Sequence, residues 1–126
     1  MDRKQLLIVD DAPLIISRLK ILLEDLPFLD RIDSAATVAE AVGKLSTPPL
    51  PDIILLDINL PDRNGIDFLR QLHQDYPHIV VIMQSNQYGA SYRSLCLQLG
   101  ASYYIDKSTE FQLIPFVLST ICSGSL

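Results

Sequence analysis

Asp10, Asp11, Asp57 and Lys107 are the residues whose types and positions could do chemistry together. Each stands at the end of a short apolar run. Asp10 and Asp11 close Leu6-Leu7-Ile8-Val9, Asp57 closes Ile53-Ile54-Leu55-Leu56, and Lys107 follows Tyr103-Tyr104-Ile105. Strands that alternate with helices tend to lie parallel, and a parallel sheet gathers its strand C-ends on one edge. Residues far apart in sequence would then form one acidic site beside a single cation. Three carboxylates that close repel one another, so without a cation at least one pKa should rise. A divalent ion relieves that repulsion, and oxygen-only ligands favour Mg²⁺ over zinc. His73 and His78 are predicted to lie away from this edge.

The elements that must position these groups alternate strand and helix five times. Predicted strands are Gln5–Val9, a short charged run Arg31–Ala35, Ile53–Leu56, Ile79–Met83 and Tyr103–Ile105. Predicted helices run over Pro13–Asp25, Val38–Leu45, Gly65–Tyr76 and Ser91–Leu99. The fifth begins near Gln112–Ile114 and ends near Cys122. Ile15, Leu19, Leu22 and Leu26 share a face of the first helix, and Tyr92, Leu95, Cys96 and Leu99 a face of the fourth. Pro115 would cost about 3 kcal/mol inside a helix, so the fifth helix should start just before it. Three prolines in Ser46–Pro51 exclude a helix there. The wholly apolar strands 1, 3 and 4 suit interior positions covered on both faces. This predicts a three-layer, doubly wound parallel sheet of order 2-1-3-4-5, flavodoxin-like, with its crevice between strands 1 and 3.

At 126 residues, nearly half apolar, the chain is large enough for one domain with a real core. Its net charge of −5 argues against nonspecific binding to nucleic acid or an anionic membrane. No apolar run reaches membrane-span length and no basic-then-apolar leader precedes the first strand, so a cytoplasmic protein is expected. Cys96 and Cys122 read as reduced packing residues.

Strand 4 ends in Gln84-Ser85, which brings a hydroxyl to the rim. Strand 5 lies roughly 10 Å from strand 3, and the long Lys107 stem could carry its ammonium to Asp57. A carboxylate flanked by a metal, a hydroxyl and a lysine has what phosphoryl transfer needs: a nucleophilic oxygen, charge neutralisation and donors for equatorial oxygens. Taken singly, a strand-end Asp is often only a turn former or cap. The joint placement on four of five strand ends is what points to a site.

The segments Leu6–Asp11, Ile54–Gly65, Ser85 and Gly100–Lys107, with their spacings, resemble the receiver domain of bacterial two-component response regulators. The resemblance covers nearly the full length, residues 1–126 being one such domain. It implies that Asp57 accepts a phosphoryl group from a phosphohistidine on a sensor histidine kinase or phosphotransfer protein. Asp11, Asp57 and the backbone carbonyl of Asn59 would hold Mg²⁺ directly, and Asp10 mainly through metal-bound water. Lys107 and Ser85 would bind phosphoryl oxygens, and Tyr104 would follow Ser85 from an outward to an inward rotamer. Ser108 stands where many members have proline, and Asn86 where a very small residue is common. Asn86 is expected to restrict access to the acceptor and slow phosphoryl turnover.

Phosphorylation would then bias helix 4, strand 5 and helix 5. Leu97 and Phe116 lie off the buried stripes there and could meet an effector protein, an output domain or a second copy. Leu14, beside the site, is a candidate kinase contact. The domain itself is expected to turn over no substrate beyond its own phosphorylation and dephosphorylation. Three rivals share features of the site. A flavin electron carrier would have its phosphate repelled by Asp10 and Asp11. A Mg²⁺-dependent small-molecule phosphatase would need a carboxylate where Asn59 stands. A receiver-like binding module would never become phosphorylated.

Overall fold

The computed structural model describes residues 3–86 and 90–123. Five strands, β1 (Lys4–Val9), β2 (Leu29–Ala35), β3 (Ile53–Asp57), β4 (Val80–Ser85) and β5 (Tyr103–Asp106), form one sheet. Its order is β2-β1-β3-β4-β5, and every pairing is parallel. The helices are α1 (Pro13–Leu23), α2 (Val38–Leu45), α3 (Gly65–Asp75), α4 (Ala90–Gln98) and α5 (Ile114–Cys122).

The pleat sorts the apolar strands onto two cores. Leu7, Val9, Ile54, Leu56, Val81 and Met83 pack on one face with Val38, Phe68, Leu69, Leu72 and Cys96. Leu6, Ile8, Ile53, Leu55, Ile82 and Ile105 pack on the other with Leu19, Leu23, Ile114 and Leu118. The continuous apolar character of β1, β3 and β4 thus follows from cover on both sides. The order and the three layers are those predicted. Among the described residues no helix is long and apolar enough to cross a membrane.

Several boundaries differ from expectation for physical reasons. β2 begins at Leu29, not Arg31, and is the longest strand, because an edge strand can carry Asp30, Arg31 and Asp33 toward solvent while Leu29 and Ala35 anchor its ends. β4 runs on through Gln84 and Ser85, whose backbones pair with Asp57 and Asp106. α1 stops at Leu23 and α3 at Asp75, with Tyr76 as its C-terminal cap. α4 buries only Cys96, whereas Tyr92 and Leu95 are each 37% exposed. Its one-sided stripe in sequence is therefore not a buried face. Pro115 falls in the first turn of α5, which follows a 3-10 turn over Phe111–Leu113, as its missing N–H requires. Cys96 is buried and Cys122 half-buried, both as free thiols.

Candidate functional site

β1, β3, β4 and β5 deliver their C-terminal residues to one cleft. One carboxylate oxygen from each of Asp10, Asp11 and Asp57 lies within 4.8 Å of the others. Asp10 and Asp57 are buried, while Asp11 is exposed at the mouth. Burial pushes the Asp57 pKa up to about 6. The Lys107 charge opposes that rise, the Asp10 charge adds to it, and the Asn59 N–H, donating to the carboxylate, pulls it back. The direction is that expected of crowded acids, but its largest cause is burial, with repulsion from Asp10 a smaller contribution. The all-oxygen donor set fits a hard divalent cation and offers nothing to a soft one.

Lys107 reaches the site but divides itself unevenly. Its Nζ is 2.5 Å from Oδ2 of Asp10 and 3.4 Å from Oδ1 of Asp57. Asp10 has the stronger need, since its carboxylate is wholly enclosed and an enclosed charge must be paired. The backbone N–H of Ala12 donates to its other oxygen at 2.9 Å. Gln84 Nε2 lies 3.4 Å from Oδ2. Gln84 was not predicted as a site residue. It is fully buried, and its Oε1 finds no partner among the described residues. The signal in the sequence was an amide ending an otherwise apolar strand.

Ser85 is also fully buried, and its hydroxyl shares a hydrogen bond with the Tyr104 hydroxyl. Tyr104 lies inward, 5% exposed. The backbone carbonyl of Ser85 accepts from the Lys107 N–H at 2.9 Å, which ties the lysine's turn to the end of β4.

The loop after β3 is held from two sides. Asn59 bridges Asn64, whose side chain caps α3 by accepting from the Ile66 N–H at 2.7 Å. A β-carbon at Gly65 would collide with the Asp57 carbonyl oxygen and crowd Ile58, so only glycine lets α3 start this close to β3. Asp62, also unpredicted, reaches across to α2 and accepts from the Val38 and Ala39 N–H groups, each at 3.0 Å. Those bonds hold its carboxyl below the usual range. Leu14, Leu97 and Phe116 are exposed, as expected, and Asn86 is exposed at the end of β4. His73 and His78 are exposed on and after α3, where the His73 ring packs against Gly100.

Comparisons with known proteins agree with this geometry. The model of the response regulator receiver domain matches residues 6–117. The transcriptional regulatory protein MctR of Rhizobium johnstonii is 30% identical over 122 residues, which cover 95% of this chain and 56% of that protein. A protein-glutamate methylesterase/protein-glutamine glutaminase of Treponema denticola is 36% identical over 109 residues, covering 85% of this chain and 29% of that one. The chain thus spans about half the length of the first relative and under a third of the second. A crystal structure of a LuxR-family two-component response regulator from Aurantimonas sp. SI85-9A1 superposes with a TM-score of 0.86 at 24% identity, covering 98% of this chain and 87% of that one, and shares the fold. With the family model spanning β1 to α5 and the acidic cleft at its expected edge, this chain belongs to the response regulator receiver domain family.

Proposed function

We propose that Asp57 accepts a phosphoryl group from a phosphohistidine on a sensor kinase or phosphotransfer protein. The carrying observation is the buried Asp57 carboxylate, converging with Asp10 and Asp11 and 3.4 Å from the Lys107 ammonium. An Asp57 oxygen attacks phosphorus, the P–N bond to histidine breaks, and the imidazole takes up a proton. The raised pKa, about 6, leaves Asp57 ionised at neutral pH and therefore nucleophilic.

Asp10, Asp11, Asp57 and the Asn59 carbonyl are the groups that would hold Mg²⁺, which supplies charge neutralisation when bound. Lys107 shifts from its Asp10 and Asp57 partners toward a phosphoryl oxygen, and Ser85 donates to another. Tyr104 occupies the space behind Ser85. On this reading residues 1–126 are one receiver domain acting in the cytoplasm, with no substrate beyond its own acyl phosphate. Effector, output domain or second copy would read α4, β5 and α5. Leu97, Leu113 and Phe116 are exposed on those elements and the turn before α5.

Incubation with labelled acetyl phosphate and Mg²⁺ tests the chemistry. An acid-stable, base-labile label on wild type that is missing from Asp57→Asn is expected. Equal labelling of both proteins overturns the assignment, as does steady turnover of small phosphate esters in place of a stoichiometric label.

A further inference from the structure

Arg93 on α4 touches both Tyr104 and Glu110, which braces the turn carrying Lys107. Its Nη1 donates to the Tyr104 carbonyl at 3.0 Å. Its guanidinium carbon lies 5.1 Å from the Tyr104 ring centroid. Its Nη2 donates to Glu110 Oε1 at 2.9 Å. The same Glu110 oxygen accepts the Asp106 N–H at 2.9 Å, one residue before Lys107. Glu110 also closes that turn through its backbone, its N–H donating to the Asp106 carbonyl at 2.7 Å. A planar guanidinium can serve a carbonyl, a carboxylate and a ring face together, and a lysine ammonium cannot.

We propose that Arg93 is a positioning residue which, through Tyr104 and Glu110, fixes the inward ring and the turn that aims Lys107 into the acidic cleft. This deepens the phosphoryl-acceptor reading and rests on it. α4 is otherwise weakly attached, burying only Cys96, so a few polar bonds decide how it sits on β5. Arg93 side-chain contacts link that helix to the Tyr104 carbonyl and ring and to Glu110. With the Arg93 side chain 44% exposed, its cation–π contact with the Tyr104 ring shifts a two-state equilibrium by about two- to fivefold. The Tyr104 rotamer and the Lys107 turn should respond together to loss of the guanidinium.

The test uses the full chain labelled with 3-fluorotyrosine, the Tyr104 resonance being assigned through Tyr104→Phe. Arg93→Ala is expected to move the unphosphorylated Tyr104 resonance toward the solvent-exposed position and to slow acetyl phosphate labelling about two- to fivefold. Arg93→Lys should restore at most part of both effects. Glu110→Gln keeps an acceptor for the Asp106 N–H and should slow labelling less than Arg93→Ala. If wild type takes no label, the phosphoryl-acceptor reading fails whatever Tyr104 does. If wild type is labelled but Arg93→Ala leaves both the resonance and the rate unchanged, the positioning role fails alone. A rate loss with an unmoved resonance, fully restored by Arg93→Lys, reduces Arg93 to a charge effect and also overturns it.

Discussion

Asp57→Asn should stabilise the metal-free protein at neutral pH and do so less as pH falls. The Asp57 pKa is raised from 3.8 to about 6, chiefly by burial. A carboxyl with a raised folded-state pKa contributes stability in its protonated form. That contribution is complete below about pH 4 and is lost as pH rises through about 6. At about 1.4 kcal/mol per unit, keeping Asp57 ionised at neutral pH costs the fold roughly 3 kcal/mol. Asparagine carries no charge and avoids the cost, although Lys107 then keeps only Asp10 as its anion. A gain of about 2 kcal/mol is therefore expected, a rise of roughly 5–10 °C in melting temperature for a domain of this size. Urea and thermal melts of both proteins from pH 4 to pH 8 with EDTA would show the gap opening across pH 4–7. Saturating Mg²⁺ should narrow it, since wild type offers the fuller ligand set and ligand binding stabilises the folded state. Equal stabilities at pH 7.5 without metal, or a gap that widens as pH falls, would refute the reasoning.

Gly65→Ala should push the Asp57 backbone out of line, because its β-carbon meets the Asp57 carbonyl oxygen. A lowered melting temperature with severe loss of acetyl phosphate labelling is expected, and normal labelling would show that the loop has slack. Gln84→Met removes a buried amide whose oxygen finds no partner among the described residues and whose nitrogen makes only a 3.4 Å contact. It should leave stability unchanged or raise it by about 1 kcal/mol in urea melts, and a loss of that size would mean the amide holds Asp10 more firmly than its geometry shows. Asn86→Ala should speed both acceptance and hydrolysis of the phosphoryl group, since it shortens an exposed side chain at the end of β4. Unchanged rates would reject a gating role for Asn86.

The sheet order was legible because continuous apolar runs at Leu6–Val9, Ile53–Leu56 and Ile79–Met83 demand cover on both faces. The acidic cluster was legible because Asp10, Asp11 and Asp57 end such runs, and topology alone brings strand ends together. The end of β4 was obscured by chemistry: Gln84 and Ser85 are polar yet fully buried, which hydropathy reads as loop. The face of α4 was misread because Tyr92 and Leu95 keep helical spacing with Cys96 without being enclosed. The unequal division of Lys107 between Asp10 and Asp57 depends on which carboxylate is more enclosed, a property of packing and not of spacing. The inward Tyr104 likewise reflects Ser85 beneath it and Arg93 across its ring, three residues that no local pattern connects. Asp62 was silent for the same reason, since its partners Val38 and Ala39 belong to another helix.

Peptide-level mass spectrometry of the intact chain after exposure to acetyl phosphate and Mg²⁺, handled below neutral pH, tests the central claim most directly. One phosphoryl group on the peptide containing Asp57, released by mild base, is the predicted result. A modification on any other residue, or none at donor and metal concentrations that label a known receiver in parallel, would contradict it.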